Sequence, residues 1–398
     1  MFVQNPNTNR YRCLSFLLAG MMAVTSLPMP AFAADAAAGE EIAISAERFP
    51  DEQFRNYISE QLDSDGDNML SATECSEVVD LNVSQQGIAD LTGIDVFSKL
   101  QQLDCSGNTL SALDISGAAQ LLQLNCSANP DLSALKLPEK NGAFSFLVML
   151  DCSGCALTEL SLDSYALLGT LDCSGNQLAA LDISANSNLR TVDCSGNQLA
   201  ALDVSANSNL QTVNCSNNQL TTLDFSRNAK LEEVDCSGNQ LTELDVYNAL
   251  LQKLDCSENA LPSLFLSECS ALRELDCSQN QLVELDTTGL TLEILETAGN
   301  QRAIVPQPER AGAYSYDLNN LPELEQDRIT GWENASVKED SANVLQIPAD
   351  TERVSYGYRL DSQQAVPVAT FTLTLQPDEA CYLQLNEEHF PDEAFRSL

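Results

Sequence analysis

Residues 171–220 read LDCSGNQLAALDISANSNLRTVDCSGNQLAALDVSANSNLQTVNCSNNQL, and this stretch decides the fold. It is built from a unit of 21 residues that contains two similar halves, LxxLxCSxN and LxxLDxSxN. Leu171 and Cys173 alternate with polar residues at a period of two, which predicts a short strand with one buried face. Ser-Gly-Asn then predicts a turn, and we expect the second apolar segment, residues 178–183, to pack behind the strand.

The unit recurs along most of the chain. Its ladder positions are Val83, Cys105, Cys126, Cys152, Cys173, Cys194, Cys215, Cys236, Cys256, Cys277 and Thr297. One coil cannot bury its own apolar edge, so stability has to come from stacking neighbours. The sequence therefore predicts a mainly β solenoid of eleven coils with short strands and turns, roughly 50 Å long at the spacing of adjacent strands.

Two ladders of identical residues follow this period. Nine of the 14 cysteines recur once per coil, a pattern that favours small buried side chains over disulfide pairing, so we expect reduced thiols. The asparagine ladder comprises Asn108, Asn129, Asn176, Asn197, Asn218, Asn239, Asn259, Asn280 and Asn300. A buried amide at a turn can satisfy backbone groups of adjacent coils, so we interpret these asparagines as structural. Cys155 stands where one ladder asparagine is expected.

The repeat over residues 81–304 resembles bacterial leucine-rich repeats with a nested 21-residue unit, LxxLxCxxNxLxxLDLxxN, and is internalin-like in architecture. Such repeats occur in exported proteins of Gram-positive and gut bacteria. The resemblance implies a binding role and does not name the ligand.

A candidate calcium loop precedes the repeats. Residues 63–74, DSDGDNMLSATE, match the twelve-residue loop of an EF-hand. The predicted ligands are Asp63, Asp65, Asp67, the Met69 carbonyl, Ser71 and Glu74. Position six usually requires glycine, and here it is Asn68, which tolerates a left-handed backbone well. We expect flanking helices and a single Ca²⁺ that braces an N-terminal cap. The alternative is a turn that caps the repeats without binding metal.

The segments outside the repeats have other patterns. Arg10 and Arg12, a short apolar run and Ala31-Phe32-Ala33 are typical of a signal peptide. Alternation in residues 354–358 and 368–375 predicts a small β-rich domain whose aromatic residues, Trp332 among them, form its core. Residues 388–396 repeat residues 47–55, so the last segment reads as a second, truncated cap. The predicted segments are 1–33 signal peptide, 34–48 linker, 49–80 helix–calcium loop–helix cap, 81–304 solenoid, 305–376 β-rich domain and 377–398 truncated cap motif.

The charge restricts the partners. The chain has a formal charge of −39, which disfavours nucleic acid and anionic membranes and favours cations and basic surfaces. We expect a secreted or cell-surface monomer without membrane insertion. His389 is the only histidine, so Ser-His-Asp and Cys-His arrangements are excluded, and no glycine-rich phosphate loop is present. We do not expect an enzyme.

Two rows of acidic residues mark candidate surfaces. The partner face, at strand positions interpreted as exposed, is Asp151, Asp172, Asp193, Asp235, Asp255 and Asp276. A second row is Asp114, Asp182, Asp203, Asp224, Asp245 and Asp286. Two functions fit: a module that binds a protein ligand on a host or bacterial surface, and a calcium-dependent structural or adhesive component of the cell envelope without a specific partner.

Overall fold

The computed structural model describes residues 41–138, 145–304, 306–308, 313–339, 341–360 and 368–376. The predicted signal peptide and the predicted truncated cap motif lie outside these residues. Two short strands and two helices open the described part: β1 (Ile42–Ala43), α1 (Glu52–Gln61), β2 (Met69–Leu70) and α2 (Ala72–Glu77). Among the described helices, none has both the length and the apolar character needed to cross a bilayer.

The solenoid follows. Its strands are β3 (Asp80–Asn82), β4 (Gln102–Asp104), β5 (Ala112–Asp114), β6 (Gln123–Asn125), β7 (Ala134–Lys136), β8 (Met149–Asp151), β9 (Thr170–Asp172), β10 (Thr191–Asp193), β11 (Thr212–Asn214), β12 (Thr222–Asp224), β13 (Glu233–Asp235), β14 (Glu243–Asp245), β15 (Lys253–Asp255), β16 (Glu274–Asp276) and β17 (Ile294–Glu296). Eleven of them form one sheet in the order β3-β4-β6-β8-β9-β10-β11-β13-β15-β16-β17. All neighbours in it are parallel.

Each strand of this main sheet ends one residue before one of the eleven predicted ladder positions, so the predicted β-solenoid is confirmed. The register is constant: Leu171 pairs with Val192, and Asp172 pairs with Asp193. The middle residue of a strand points inward and the first and third point outward, as the period of two requires. The second halves of some coils also pair, as β5 with β7 and β12 with β14.

The two ladders lie in the interior beside the buried leucine, isoleucine and valine side chains. All nine ladder cysteines are fully buried and their thiols are free. Burial raises the pKa of these thiols, that of Cys277 to about 12, so they stay protonated at neutral pH. The Asn197 amide donates to the carbonyls of Cys173 and Cys194, both at 3.0 Å, and its Oδ1 accepts from the Leu178 amide. The structural interpretation of both ladders is confirmed.

The N-terminal helices pack on the first coil. Asp51 caps α1 by accepting from the Phe54 amide at 2.9 Å, because its Oδ1 reaches the third residue of the helix. Its other carboxylate oxygen accepts from the backbone amides of Ala89 and Asp90 in the first coil. Phe54 is fully buried and belongs to the same apolar core as the repeats. One carboxylate thus fixes the helix start to the solenoid.

Two four-stranded sheets follow the repeats. Their strands are β18 (Gln301–Ile304), β19 (Gln307–Pro308), β20 (Tyr314–Asp317), β21 (Ile329–Glu333), β22 (Ser336–Lys338), β23 (Ser341–Ile347), β24 (Arg353–Arg359) and β25 (Val368–Leu375). The sheet orders are β18-β25-β24-β21 and β19-β20-β23-β22. The predicted alternations fall in β24 and β25, and Tyr356, Tyr358 and Phe371 are buried. Trp332 stacks against Tyr356 with ring centroids 4.8 Å apart, so these aromatic side chains form a core as predicted.

These sheets dock on the end of the solenoid through polar contacts. The Tyr356 hydroxyl donates to the Val283 carbonyl at 2.5 Å, and the Thr287 amide donates to the Leu360 carbonyl. Arg328, which is almost completely buried, pairs with Asp286 of the last coils and also donates to the Leu360 carbonyl. The open end of the repeat stack is therefore covered.

Candidate functional site

The candidate calcium loop connects α1 to α2. Asp63, Asp65 and Asp67 each offer a carboxylate oxygen, and these oxygens lie within 4.8 Å of one another. Asp63 is almost buried and accepts from the Gly66 and Asn68 amides. Asn68 has a φ of 63°, so the left-handed backbone predicted for position six is present. The loop therefore brings the first three predicted ligands together.

The carboxylates crowd one another. The Asp67 amide lowers the pKa of Asp65, but desolvation and the charges of the neighbouring carboxylates outweigh it and raise that pKa. Like charges at this spacing repel, and a cation between them would relieve the repulsion. The donor set consists of hard oxygens, which suits Ca²⁺.

Glu74 lies apart from this cluster. Its carboxylate accepts from the amide and hydroxyl of Ser71, both at 2.9 Å, and from the amide and hydroxyl of Ser64 at 2.6 and 2.7 Å. These hydrogen bonds lower the pKa of Glu74 to about 2. The Ser71 hydroxyl in turn caps α2, at 3.2 Å from the Glu74 amide. To act as ligands, Glu74 and Ser71 would have to exchange these bonds for the metal.

The strand of the loop has a partner in the chain itself. Position eight of an EF-hand loop usually pairs with a second loop, and here Leu70 pairs with Ile42 of β1. The Ile44 amide also donates to the Asn68 carbonyl at 3.0 Å. Strand β1 therefore pairs with the loop in the way that a second EF-hand loop usually does.

The second candidate site is the outward surface of the main sheet, which we call the strand face. Asp151, Asp172, Asp193, Asp235, Asp255 and Asp276 form its aspartate column, and the register places them on adjacent strands except where Asn214 intervenes. The prediction that these positions are exposed is wrong. Asp151 is only 7% exposed and the other five are half-buried.

The burial of the column has a structural cause. Each aspartate accepts a hydrogen bond from the backbone amide of the serine two residues later, as Ser174 N donates to Asp172 at 3.0 Å. In all but the last of the six pairs the serine hydroxyl also donates, at 2.6–2.7 Å. The same serine bonds occur at Asp114 of the second row, which is exposed, so they orient the carboxylate, while the neighbouring strands of the main sheet cover its flanks. One carboxylate oxygen is used in the coil, and the orientation of the side chain is fixed.

Burial and repulsion together shift the acidity of the column. Burial, followed by the charges of Asp193 and Asp151, raises the pKa of Asp172 to about 7. Burial also raises the pKa of Asp151 and Asp255. At these three aspartates the surroundings therefore disfavour the ionised form of the carboxyl group.

The second aspartate row is more exposed. Asp182, Asp203 and Asp224 lie on the second halves of their coils and are exposed. A serine two residues later donates to each of them, and these hydrogen bonds lower the pKa of all three. These carboxylates are ionised across the physiological pH range.

Sequence reasoning missed a second asparagine ladder. Asn186, Asn207, Asn228 and Asn248 are buried, and each donates to a carbonyl of the preceding coil. Cys269 takes the next place, and its Sγ donates to the Val246 carbonyl at 3.2 Å. Cys155 does the same in the first ladder, toward the Cys126 carbonyl. The 20- or 21-residue spacing of these residues was the available signal.

Residues 208–249 match the family model described as leucine-rich repeats (2 copies). Two coils in the middle of the solenoid thus match leucine-rich repeats. None of the curated proteins matches the sequence. Solved structures of internalins are similar to it at low identity.

Three solved structures illustrate the likeness. The functional domain of InlJ from Listeria monocytogenes, described as including a cysteine ladder, is 19% identical over 85% of this chain and 99% of its own, with a TM-score of 0.39. InlP from Listeria monocytogenes is 17% identical over 85% of this chain and 99% of its own, with a TM-score of 0.47. The internalin InlF from Listeria monocytogenes is 19% identical over 66% of this chain and 93% of its own, with a TM-score of 0.41.

Proposed function

We propose that this protein is exported and binds a protein partner with a basic surface through the strand face, without catalysing a reaction. Leucine-rich-repeat solenoids use extended surfaces of this kind for binding. The aspartate column is the observation that supports the proposal most directly. Its carboxylates are half-buried, oriented by serine and repelled by their neighbours, so a cationic partner would gain Coulomb energy there without having to order the side chains.

The signal-peptide pattern of residues 1–33 supports export. The net charge of −39 is compatible with export, since a strongly acidic surface attracts basic proteins over long range and repels anionic lipid. We place the protein outside the cell, free or attached to the surface.

A labelled peptide of alternating lysine and serine, sixteen residues long, tests the strand face by fluorescence anisotropy. The triple variant Asp193→Asn, Asp235→Asn, Asp276→Asn should bind it about tenfold more weakly at low salt, since three contacts of about 0.5 kcal/mol each are lost. Asparagine already occupies the column at Asn125 and Asn214, so the variant should fold.

The matched control removes the same charge from the second row, through Asp182→Asn, Asp203→Asn and Asp224→Asn. It should change the affinity for the peptide less than threefold. Equal losses in the two triple variants would contradict a specific role for the strand face. Calcium-dependent self-association without peptide binding would instead support a structural envelope component.

We also propose that residues 63–74 hold one Ca²⁺, with Asp63, Asp65, Asp67, the Met69 carbonyl, Ser71 and Glu74 as ligands. The cluster of three carboxylates and the left-handed Asn68 support it. The bound ion would brace the turn between α1 and α2, and through Leu70 the pairing with β1.

Isothermal titration with Ca²⁺ tests the site on the full chain. We expect heat with a stoichiometry near one, its loss in Asp63→Ala and Asp65→Asn, and its retention in Asp80→Ala, which removes an exposed carboxylate from β3. Absence of heat in the unmodified protein, or heat that survives both loop variants, would refute calcium binding without affecting the strand-face proposal.

A further inference from the structure

One irregularity of the solenoid lies on the second halves of the coils that follow Cys236 and Cys256. Three residues lie between Asp224 and Asn228, but only two lie between Asp245 and Asn248, so this turn is one residue shorter. The Asn248 side chain closes it by donating to the Asn228 carbonyl at 2.9 Å and accepting from the Leu250 amide at 2.9 Å. The shorter turn is well defined.

Three large apolar side chains are exposed at this irregularity. Tyr247 replaces the serine that follows the row aspartate in earlier coils and is 51% exposed, and Leu250 is 52% exposed. In the next coil Phe265 stands in the second aspartate row and is 64% exposed. The Cys269 bond to the Val246 carbonyl fixes the alignment of the two coils and places Phe265 beside Asp245. We call Tyr247, Leu250 and Phe265 the apolar patch.

Carboxylates border the patch on the side of β14 and in the next coil, whereas the exposed Arg227 and Lys230 lie in the preceding coil. Glu243 and Asp245 are the outward residues of β14, which leads directly to Tyr247. Glu268 is exposed three residues after Phe265. In the described part of the chain no ion pair engages these three side chains, which we call the acidic rim. Exposed aromatic residues surrounded by charged ones are typical of protein-binding sites.

The charges decide between possible occupants. A second copy of this chain would bring another surface with the same acidic rim to a protein of net charge −39, so self-association at the patch is disfavoured. A basic segment meets the rim with opposite charge and can seat one apolar side chain among Tyr247, Leu250 and Phe265.

We infer that the apolar patch and its acidic rim form a second docking site, for a lysine- or arginine-rich polypeptide segment with a central aromatic or aliphatic anchor. The site lies on the second halves of the coils and not on the strand face. The inference rests on the proposed function only in that the solenoid binds proteins, and a partner could occupy both surfaces or this one alone.

Two labelled peptides test the inference on the full chain: Lys-Ser-Lys-Trp-Lys-Ser-Lys, and the same peptide with tryptophan replaced by serine. The variant Phe265→Asp, Tyr247→Ser installs the residues that the corresponding positions of neighbouring coils already carry. Leu167→Asn is the matched control, since Leu167 is 41% exposed on a distant coil and the next coil has Asn188 at that position.

The unmodified protein should bind the tryptophan peptide at least fivefold more tightly than the serine peptide. The double variant should lose that preference and bind the serine peptide equally well or better, because Phe265→Asp adds a carboxylate. Retention of the preference in the double variant, or its loss in Leu167→Asn, would overturn the inference.

The outcomes separate the two proposals. If the double variant loses the preference for the tryptophan peptide while the strand-face triple variant still binds the lysine–serine peptide normally, the patch proposal stands and the strand-face proposal fails. If the double variant keeps the preference while the triple variant loses affinity, the strand-face proposal stands and the patch proposal fails. Circular dichroism of each variant checks that the fold is intact.

Discussion

Replacement of Asp172 by asparagine should stabilise the protein at neutral and alkaline pH. Asp172 is half-buried between Asp151 and Asp193 in the register of the main sheet. Burial and these two charges raise its pKa to about 7. Asn214 shows what an asparagine does in the column, since its Nδ2 donates to Asp193 Oδ2 at 2.9 Å. Asp172→Asn removes the repelled charge and supplies such a donor.

The magnitude follows from the pKa. One pKa unit corresponds to about 1.4 kcal/mol, so an elevation from 3.8 to about 7 sets a ceiling of about 4 kcal/mol. Solvent screens the outer carboxylate oxygen, and asparagine keeps an oxygen for the Ser174 bonds, so we expect a gain of about 1–2 kcal/mol at pH 8.

The stability gained by Asp172→Asn depends on pH. The folded pKa of Asp172 lies above the unfolded value, so this group stabilises the fold below about pH 4, and that stability is lost as the pH rises to about 7. The advantage of Asp172→Asn should therefore be large at pH 8 and small at pH 4.5.

Urea unfolding followed by circular dichroism measures the free energy of unfolding at both pH values. Asp203→Asn is the control, because Asp203 is exposed and hydrogen bonds from Ser205 lower its pKa. Its replacement should lower the free energy of unfolding by no more than a few tenths of a kcal/mol at either pH. A gain for Asp172→Asn that is absent at pH 8, or equal at the two pH values, would refute the reasoning.

Other substitutions test the ladders and the end of the solenoid. Asn197→Ala should lower the free energy of unfolding by about 2–4 kcal/mol, because it leaves buried backbone carbonyls and an amide without partners; urea unfolding checks it, and a loss below 1 kcal/mol would contradict the structural role. Cys155→Asn should raise stability by about 1 kcal/mol, since an amide satisfies more groups than a thiol; a lower urea midpoint would argue against it. Arg328→Met should leave the repeats folded but make the C-terminal sheets sensitive to protease, because the buried contact with Asp286 is lost; an unchanged cleavage rate would contradict this.

The position of every coil could be predicted from the sequence because the repeat is nearly uniform. A leucine or valine and a cysteine two residues later determine which side of each strand is buried, and stacking leaves one way to bury all of them. The left-handed Asn68 could also be predicted, since the loop geometry requires that backbone at position six.

The burial of the aspartate column could not be predicted in this way. Alternation tells which side of a strand faces outward, but not how far a neighbouring side chain covers it. Asp172 accepts from Ser174 as Asp182 accepts from Ser184, yet Asp172 is half-buried and Asp182 is exposed, so the difference comes from the neighbouring strands of the main sheet. The apolar patch was missed for a different reason: Phe265 and Tyr247 stand out only once the coils are aligned by their contacts.

The asparagine ladders have a consequence for how such a chain can change in length. Asn197 contacts only its own coil and the one before it, so a coil duplicated within the uniform stretch would find the same neighbours on both sides. The number of coils between residues 63–74 and the apolar patch is therefore free to vary, and each coil changes the distance by roughly 4.8 Å. The patch itself keeps its place, because it lies next to the coil that Arg328 joins to the C-terminal sheets. Gene duplication could thus adjust the distance between the two ends of this protein while each end remains unchanged.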